Sequence, residues 1–326
     1  MDVIAPETRL AHVALALGPA LVARAEATKR PQLTASLVRG STVVLGAAQR
    51  AGRVLDFDSC AHAGVTILRR TTTGTAAWLG GRAFVFTLAL PAVATLFPDA
   101  TPRTLLNRNI RPFLKGFARA GLITHYFGRD FLAMRQRPGA LIGFDVSPSG
   151  AVLIELFVGY DEPATLPDAV ASHDERALER WKVKRPTSLA EMLVGARPMD
   201  IANAVLEGFA ERAGEAATSS TLEPDALDTR PFRPITSPLD PVPEDLVLGP
   251  PVVVPIGWVE AAVEATTNPT RRVWLGGDML TPRFALQRIA ERAGGLPTED
   301  FDPEALPLEG ATLADLMQAI AMAIAG

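Results

Sequence analysis

A single cysteine, Cys60, stands among the 326 residues, so no internal disulfide can brace the chain. That scarcity fits a reducing compartment. Histidine is sparse too: none of His12, His62, His125 and His173 has another metal-ligand type at useful spacing, and no metal site is expected. Positive charge is not in surplus, because 32 Lys and Arg face 36 Asp and Glu for a formal net charge of −4. A general nucleic-acid surface needs the opposite balance. No apolar run approaches the roughly 18 residues that a membrane-spanning helix requires. The longest candidate, Phe84 to Pro91, fits a buried strand. Met1-Asp2 is not followed by a basic stretch and an apolar core, so no secretory signal is expected. These absences point to a soluble cytoplasmic protein with no nucleic-acid or membrane partner.

What is present has an ordinary globular balance, with 48% hydrophobic and 21% charged residues. The length exceeds what one compact core usually holds, so two domains are expected. From Glu215 to about Val247 the chain is dense in Pro, Ser, Thr and Asp, including Pro224, Pro231, Pro234, Pro238, Pro241 and Pro243. Such a stretch reads as a semi-extended linker. It divides residues 1–214 from a smaller domain over residues 248–326.

Periodicity places the elements. Good helix formers fill His12 to Ala27. Leu33 to Val38 and Thr42 to Leu45 read as two strands around an Arg39-Gly40-Ser41 turn. A short helix over Asp56 to Ala63 and buried strands over Val65 to Leu68 and Phe84 to Leu90 follow. Thr101, Pro102 and Gly121 bracket a helix whose Leu106, Ile110, Phe113 and Phe117 form one stripe, with Pro112 expected to kink it. Phe131 to Met134, Ala140 to Val146 and Ala151 to Val158 read as strands, the last two joined by a Ser147–Gly150 hairpin turn. Glu155 lies on one face of its strand between Leu153 and Phe157, as a pocket carboxylate or an edge-facing residue. Helical pattern returns at Thr187 to Leu193 and Pro198 to Ala213. The tail offers strands at Trp258 to Ala265 and Arg272 to Leu275, a helix from Thr281-Pro282 to Gly294-Gly295, and a final helix. That last helix opens on a Thr312/Asp315 capping box and carries Leu313, Leu316, Ile320 and Ile324 as its stripe. The class is α+β, with a mixed sheet domain and a small αβ domain.

Several blocks, in order, resemble the biotin/lipoate ligase family and within it lipoate–protein ligase A. Ala14-Leu15-Ala16-Leu17 resembles the family's Asn-Leu-Ala-Leu-Glu-Glu, and Val43 to Gln49 resembles Val-Val-Ile-Gly-Arg-x-Gln. Arg69-Arg70-Thr71-Thr72-Thr73-Gly74-Thr75-Ala76 resembles Arg-Arg-x-Ser/Thr-Gly-Gly-Gly-Ala. Gly128-Arg129-Asp130 and Ala140-Leu141-Ile142-Gly143 resemble Arg-Asn-Asp and Lys-(Ile/Val)-(Ser/Ala)-Gly. Thr187 to Leu193 is similar to Thr-Asn-Leu-x-Glu-Leu-Leu, and Gly257 to Gly295 to the family's accessory domain. The resemblance implies a biotin/lipoate ligase-like sheet domain. It further implies activation of lipoate or octanoate with ATP and Mg2+ to an acyl-adenylate, then transfer to a lysine of a lipoyl carrier domain. Sister enzymes transfer octanoate from a carrier without ATP.

That chemistry needs a loop whose backbone can approach the ligand, a fixed cation at the developing oxyanion, and deprotonation of the incoming lysine. By resemblance, Gln49, Arg69, Arg70, Thr72, Gly74, Asp130 and Gly143 are the candidate substrate-binding residues. The bland alternatives are ion pairs at a sheet edge for the two arginines and a strand-end cap for Asp130. The departures are substantial. Thr73 and Thr75 replace two glycines, and threonine rarely takes positive φ. Gly18-Pro19 replaces a glutamate pair, Ala47 an arginine, and Leu79 or Gly80 a histidine. Ala140 stands at the lysine position, where losing an oxyanion donor costs roughly 10²–10³ in rate. Lys115, Arg137, Lys182 and Lys184 are the possible substitutes, and the Pro138-Gly139 turn is expected to send Arg137 outward. Cys60 reads as a buried helix residue.

A catalytically degenerate lipoate–protein ligase-like protein is therefore expected, one that binds an acyl ligand, a lipoyl carrier domain or an active ligase subunit. The alternative is an active, divergent ligase or acyltransferase, using ATP and Mg2+ if it acts as a ligase.

Overall fold

The computed structural model describes residues 1–325 apart from 182–183, 223–226, 239–240, 267, 269, 297–307 and 309. Ten strands make the larger sheet: β1 (Asp2–Ile4), β2 (Glu7–Arg9), β3 (Gln32–Leu45), β4 (Thr66–Arg69), β5 (Ala77–Leu90), β6 (Thr124–Tyr126), β7 (Phe131–Met134), β8 (Arg137–Val146), β9 (Val152–Gly159) and β10 (Thr218–Ser220). Their order is β10-β1-β3-β5-β9-β8-β7-β6, with β2 and β4 also paired to β3. β1, β2 and β4 lie parallel to β3, whereas β5 is antiparallel to both β3 and β9. The sheet is therefore mixed, as the sequence predicts.

The two strands expected around Arg39-Gly40-Ser41 are one strand. Gly40 (φ 121°) faces Gly81 (φ 59°) across the β3–β5 ladder. A glycine at positive φ in each partner lets both chains change direction without breaking their pairing. A turn signature inside a strand thus marks an irregularity in a long ladder.

Helices cover both faces of this sheet. On one, α4 (Leu105–Arg119) and α7 (Pro198–Ala213) bury Leu106, Ile110, Phe113, Phe117, Ile201, Val205 and Phe209 against Phe84, Phe86, Ile154, Leu156 and Val158. α4 begins later than expected, because Thr101 to Thr104 close a turn of their own, with Thr104 N 3.0 Å from Thr101 O. Pro102 is consequently not its first residue, and Pro112 lies buried within the helix. On the other face, α1 (Ala11–Thr28) packs Ala14, Leu15 and Ala16 against Val38, Val44, Val85 and Phe157.

Four short helices fill connections: α2 (Ala51–Val54), α3 (Phe57–His62), α5 (His173–Leu178) and α6 (Leu189–Met192). Asp56 caps α3 by accepting from Ser59 N at 3.0 Å, and Cys60 within it is buried. α6 is shorter than expected and is capped by Ser188.

The proline-rich stretch is not a free tether where it is described. β10 extends the sheet parallel to β1, Phe232 is buried beneath α1, and Ile235 N donates to Ile67 O at 2.8 Å. Prolines lack an N–H, and the stretch also bonds within itself, with Phe232 N donating to Thr229 O at 3.0 Å.

A second, antiparallel sheet follows from β11 (Leu246–Leu248), β12 (Val252–Val254), β13 (Gly257–Glu264) and β14 (Val273–Gly277). It packs against α8 (Arg283–Ala293) and α9 (Leu313–Ala325) through Val259, Ala261, Leu275, Ile289, Leu316 and Ile320. Thr312 and Asp315 close the expected capping box: Asp315 N donates to Thr312 Oγ1 at 3.2 Å, and Thr312 N to Asp315 Oδ2 at 2.7 Å. Ile324, expected in the buried stripe, is 46% exposed. The architecture is α+β, a large mixed sheet with helices and a small C-terminal αβ unit.

Candidate functional site

β4 ends at Arg69, and residues 70–76 turn back toward β5. Arg70 leaves this turn into the interior between β3, β8 and β9, and the whole residue is 2% exposed. Its Nη1 donates to Val44 O at 3.4 Å, and its Nη2 to Thr73 O at 3.1 Å and Thr75 O at 2.9 Å. The guanidinium lies 4.7 Å from the Phe157 ring centre. Burial pulls its pKa down to about 10, while Glu155 and Asp278 favour the charged form.

Glu155 projects from β9 onto the same face, where Thr72 Oγ1 donates to its Oε2 at 2.5 Å. Burial pushes this carboxyl up to about 7, against the Thr72 hydrogen bond and the charge of Arg70. Two glycines make the room. A Cβ on Gly143 would lie 3.0 Å from Arg70 Nε and collide with the Thr72 hydroxyl. A Cβ on Gly18 would lie 2.9 Å from Leu153 and 3.4 Å from Glu155 Oε1. Where the resemblance has a helix glutamate, this chain has Gly18, and a carboxylate reaches the neighbouring space from β9.

The threonines at 73 and 75 carry no strain. Only Gly74 in the trio takes positive φ, at 105°. Their hydroxyls instead fasten the loop: Thr73 Oγ1 donates to Phe144 O at 2.9 Å and Thr75 Oγ1 to Asp130 Oδ2 at 2.8 Å. Thr73 N also donates to Phe144 O at 2.9 Å, pairing the loop with the free half of β8. The expectation of lost conformational freedom is corrected, since two of the three positions do not need glycine. Gly74 does, because a Cβ there would sit 2.7 Å from both Ile142 O and the Leu280 side chain.

Arg69 supports the adjacent loop, donating from Nη1 to Gly46 O at 3.0 Å and Gln49 O at 2.6 Å. Gln49 is buried; its Oε1 accepts from Gly46 N at 2.7 Å and its Nε2 donates to Asp278 Oδ1. Asp278 belongs to the small unit, and its Oδ2 accepts from Trp258 N and Arg180 Nη2, both at 2.8 Å. Arg180 also holds Glu175 at 3.0 Å and donates to Ile256 O. Burial disfavours its charge, but Asp278 and Glu175 outweigh that and raise its pKa. Asp130, 1% exposed, is pushed up by burial, with Arg180 and Thr75 acting the other way.

Sequence reasoning missed Arg180 and Glu175 and gave Asp278 no role. Arg180 sits in no motif, and its partners come from positions 175, 256 and 278, so pattern alone offers no signal. Gly277-Asp278-Met279-Leu280 was visible only as a likeness of the accessory domain.

Arg70, Thr72, Gly74 and Gly143 thus converge with Glu155, while Gln49 and Asp130 stand beside them around Asp278 and Thr75. Ala140 does not join them. It is 1% exposed on the opposite face of β8, in the apolar cluster with Leu132, Ile142 and Val158. The strand's alternation accounts for this: Gly143 is three residues on and so faces the other side. Arg137 turns to Glu191, Arg185 O and Pro186 O. Lys115 and Lys184 are exposed, and Lys182 lies outside the described residues.

No protein-family model and no curated protein matches the sequence. Solved structures do match. A bi-partite lipoate protein ligase described with its E2 lipoyl domain, from Thermoplasma acidophilum, is 18% identical with a TM-score of 0.58, covering 69% of this chain and 88% of that one. Lipoate-protein ligase A bound with ATP is 16% identical with a TM-score of 0.55, covering 69% and 90%. P. falciparum LipL1 in complex with lipoate is 13% identical with a TM-score of 0.62, covering 89% and 88%. The fold is that of the lipoate–protein ligases.

A nucleotide-dependent site needs donors turned toward the phosphates. Here Thr73 N is spent on Phe144 O, and both Nη atoms of Arg70 are spent on carbonyls of its surroundings. Arg70 Nε, also buried, makes no hydrogen bond. Among the described residues, no group of three or more His, Cys, Asp or Glu is placed to hold a metal ion, and no helix is long and apolar enough to cross a membrane.

Proposed function

We propose that this chain is a catalytically degenerate lipoate–protein ligase-like protein that acts by binding, with a lipoyl carrier domain as its partner. The observation that carries the reading is the closure of the Arg70 loop by its own side chains. Arg70 spends both Nη atoms on Val44, Thr73 and Thr75 carbonyls, and the threonine hydroxyls engage Phe144 O and Asp130. An acyl-transfer site would instead hold such donors ready for charge that develops during reaction. The position of the missing lysine, Ala140, is enclosed by aliphatic side chains. The carrier domain is named because the fold is shared with a ligase described together with its E2 lipoyl domain.

Mass spectrometry tests this directly. The full chain, incubated with ATP, Mg2+, octanoate or lipoate and a lipoyl domain, leaves the carrier mass unchanged, while the same carrier is retained on the immobilised chain. An octanoyl or lipoyl mass gain on the carrier lysine overturns the degeneracy. Absence of retention overturns the choice of partner.

A further inference from the structure

Where the two sheets meet, a cavity of about 400 Å³ is lined by none of the Arg70–Glu155 cluster. Ala47 and Ala48 of the large unit form one wall, and Leu275, Leu286 and Ala290 of the small unit form the other. Leu296 stands at the cavity 41% exposed. Such a volume, with mostly apolar walls and a few polar groups, is that of a small-molecule site.

Three guanidiniums line the same cavity, and they are not equivalent. Arg272 is committed to Asp245 and Glu264, and Arg283 to Asp145. Arg271 is half-buried, and among the described residues its side chain makes no hydrogen bond or ion pair. Its main chain is fixed, because Arg271 N donates to Gly294 O at 2.9 Å. The lining carboxylate, Glu291, is already engaged by Gln287 Nε2 at 2.8 Å and by Arg288 at 3.7 Å. Among the described residues, an unspent cation therefore overlooks aliphatic walls. A guanidinium is shaped to take a carboxylate or sulfonate through two parallel N–H donors, while the walls favour an apolar body.

We infer that this seam cavity binds an amphipathic organic anion, its alkyl or aryl body against Leu275 and Leu286 and its acid group on Arg271. Because the walls come from both units, an occupant there clamps the small unit onto the large one. A ligand that binds only the folded, closed form stabilises it by mass action.

The test uses the full chain and 8-anilinonaphthalene-1-sulfonate as a fluorescent probe, displaced by decanoate or by its uncharged counterpart decanol. Decanoate displaces the probe at least tenfold more effectively than decanol, and it raises the thermal midpoint in a concentration-dependent way. R271Q weakens decanoate by about tenfold, the scale of a lost charged hydrogen bond, and leaves decanol unchanged. L296E, at a tolerant exposed position, weakens decanoate by repulsion. R39Q, at the exposed bend of β3, changes nothing. Equal displacement by decanol and decanoate, an unchanged affinity in R271Q, or the same loss in R39Q overturns the inference.

Discussion

Replacing Glu155 with glutamine isolates one buried proton. Burial moves this carboxyl from an ordinary 4.5 to about 7. The sign follows from proton counting. Below pH 4.5 both folded and unfolded chains hold the proton, and Glu155 adds no pH dependence. Between 4.5 and 7 the unfolded chain has released it and the folded chain has not, so stability falls as pH rises. Above 7 both are ionised and the loss is complete. A shift of this size corresponds to about 3 kcal/mol at roughly 1.4 kcal/mol per pH unit. Glutamine keeps an acceptor for Thr72 Oγ1 and never ionises. The stability of E155Q relative to wild type, from urea unfolding at half-unit steps between pH 4 and pH 8, should therefore move in the variant's favour by that amount. Asp130, Asp145 and Glu175 are also raised by burial, and taking the difference between the two proteins removes their common contribution. A difference that stays flat across the range refutes the assignment of the titration to Glu155.

Three further substitutions probe the same region. Gly74→Ala places a methyl at positive φ against Ile142 O and Leu280; a destabilisation of about 1–3 kcal/mol is expected from the backbone alone, read by thermal unfolding, with faster hydrogen exchange at the seam. Arg180→Met leaves Asp278 and Glu175 without their buried cation and should cost about 3–5 kcal/mol, whereas unchanged stability would show that the cluster carries no weight. Ala140→Lys does not restore transfer, because the ammonium enters an apolar cluster on the face opposite Arg70. Lower stability with no acylated carrier is expected, and a stable variant that acylates would contradict the face assignment.

Much of the fold was legible because it rests on local rules. The α4 stripe, the Ser147–Gly150 turn, the short helix over Asp56 to Ala63 and the Thr312/Asp315 box each depend on neighbours within a turn or two. Gly40 misled, since glycine serves equally in a reverse turn and in a bent ladder, and only the opposing Gly81, 41 positions away, decides between them. The candidate site was legible as residues but not as an arrangement. Arg70, Thr72 and Gly143 could be chosen by resemblance, yet their partner Glu155 emerged only as an oddly placed carboxylate. Arg180 sits in no motif, because its meaning lies in Asp278 and Ile256 O, brought from the small unit to join the nearby Glu175.

The departures from the ligase pattern are physically coupled rather than independent losses. A lysine at position 140 could not lie among Leu132, Ile142 and Val158 without paying for a buried charge, whereas alanine can. Once no ammonium occupies that face, the alanine methyl completes the packing under α4 and α7. On the other face, Gly18 and Gly143 leave space that Glu155, Thr72 and Arg70 fill together. The threonines at 73 and 75 turn a loop that glycine would leave free into one fixed to β8 and Asp130. Each replacement stabilises the closed arrangement that the others require. Reversing any one alone leaves the remaining contacts in place, so single substitutions should change stability before they change chemistry.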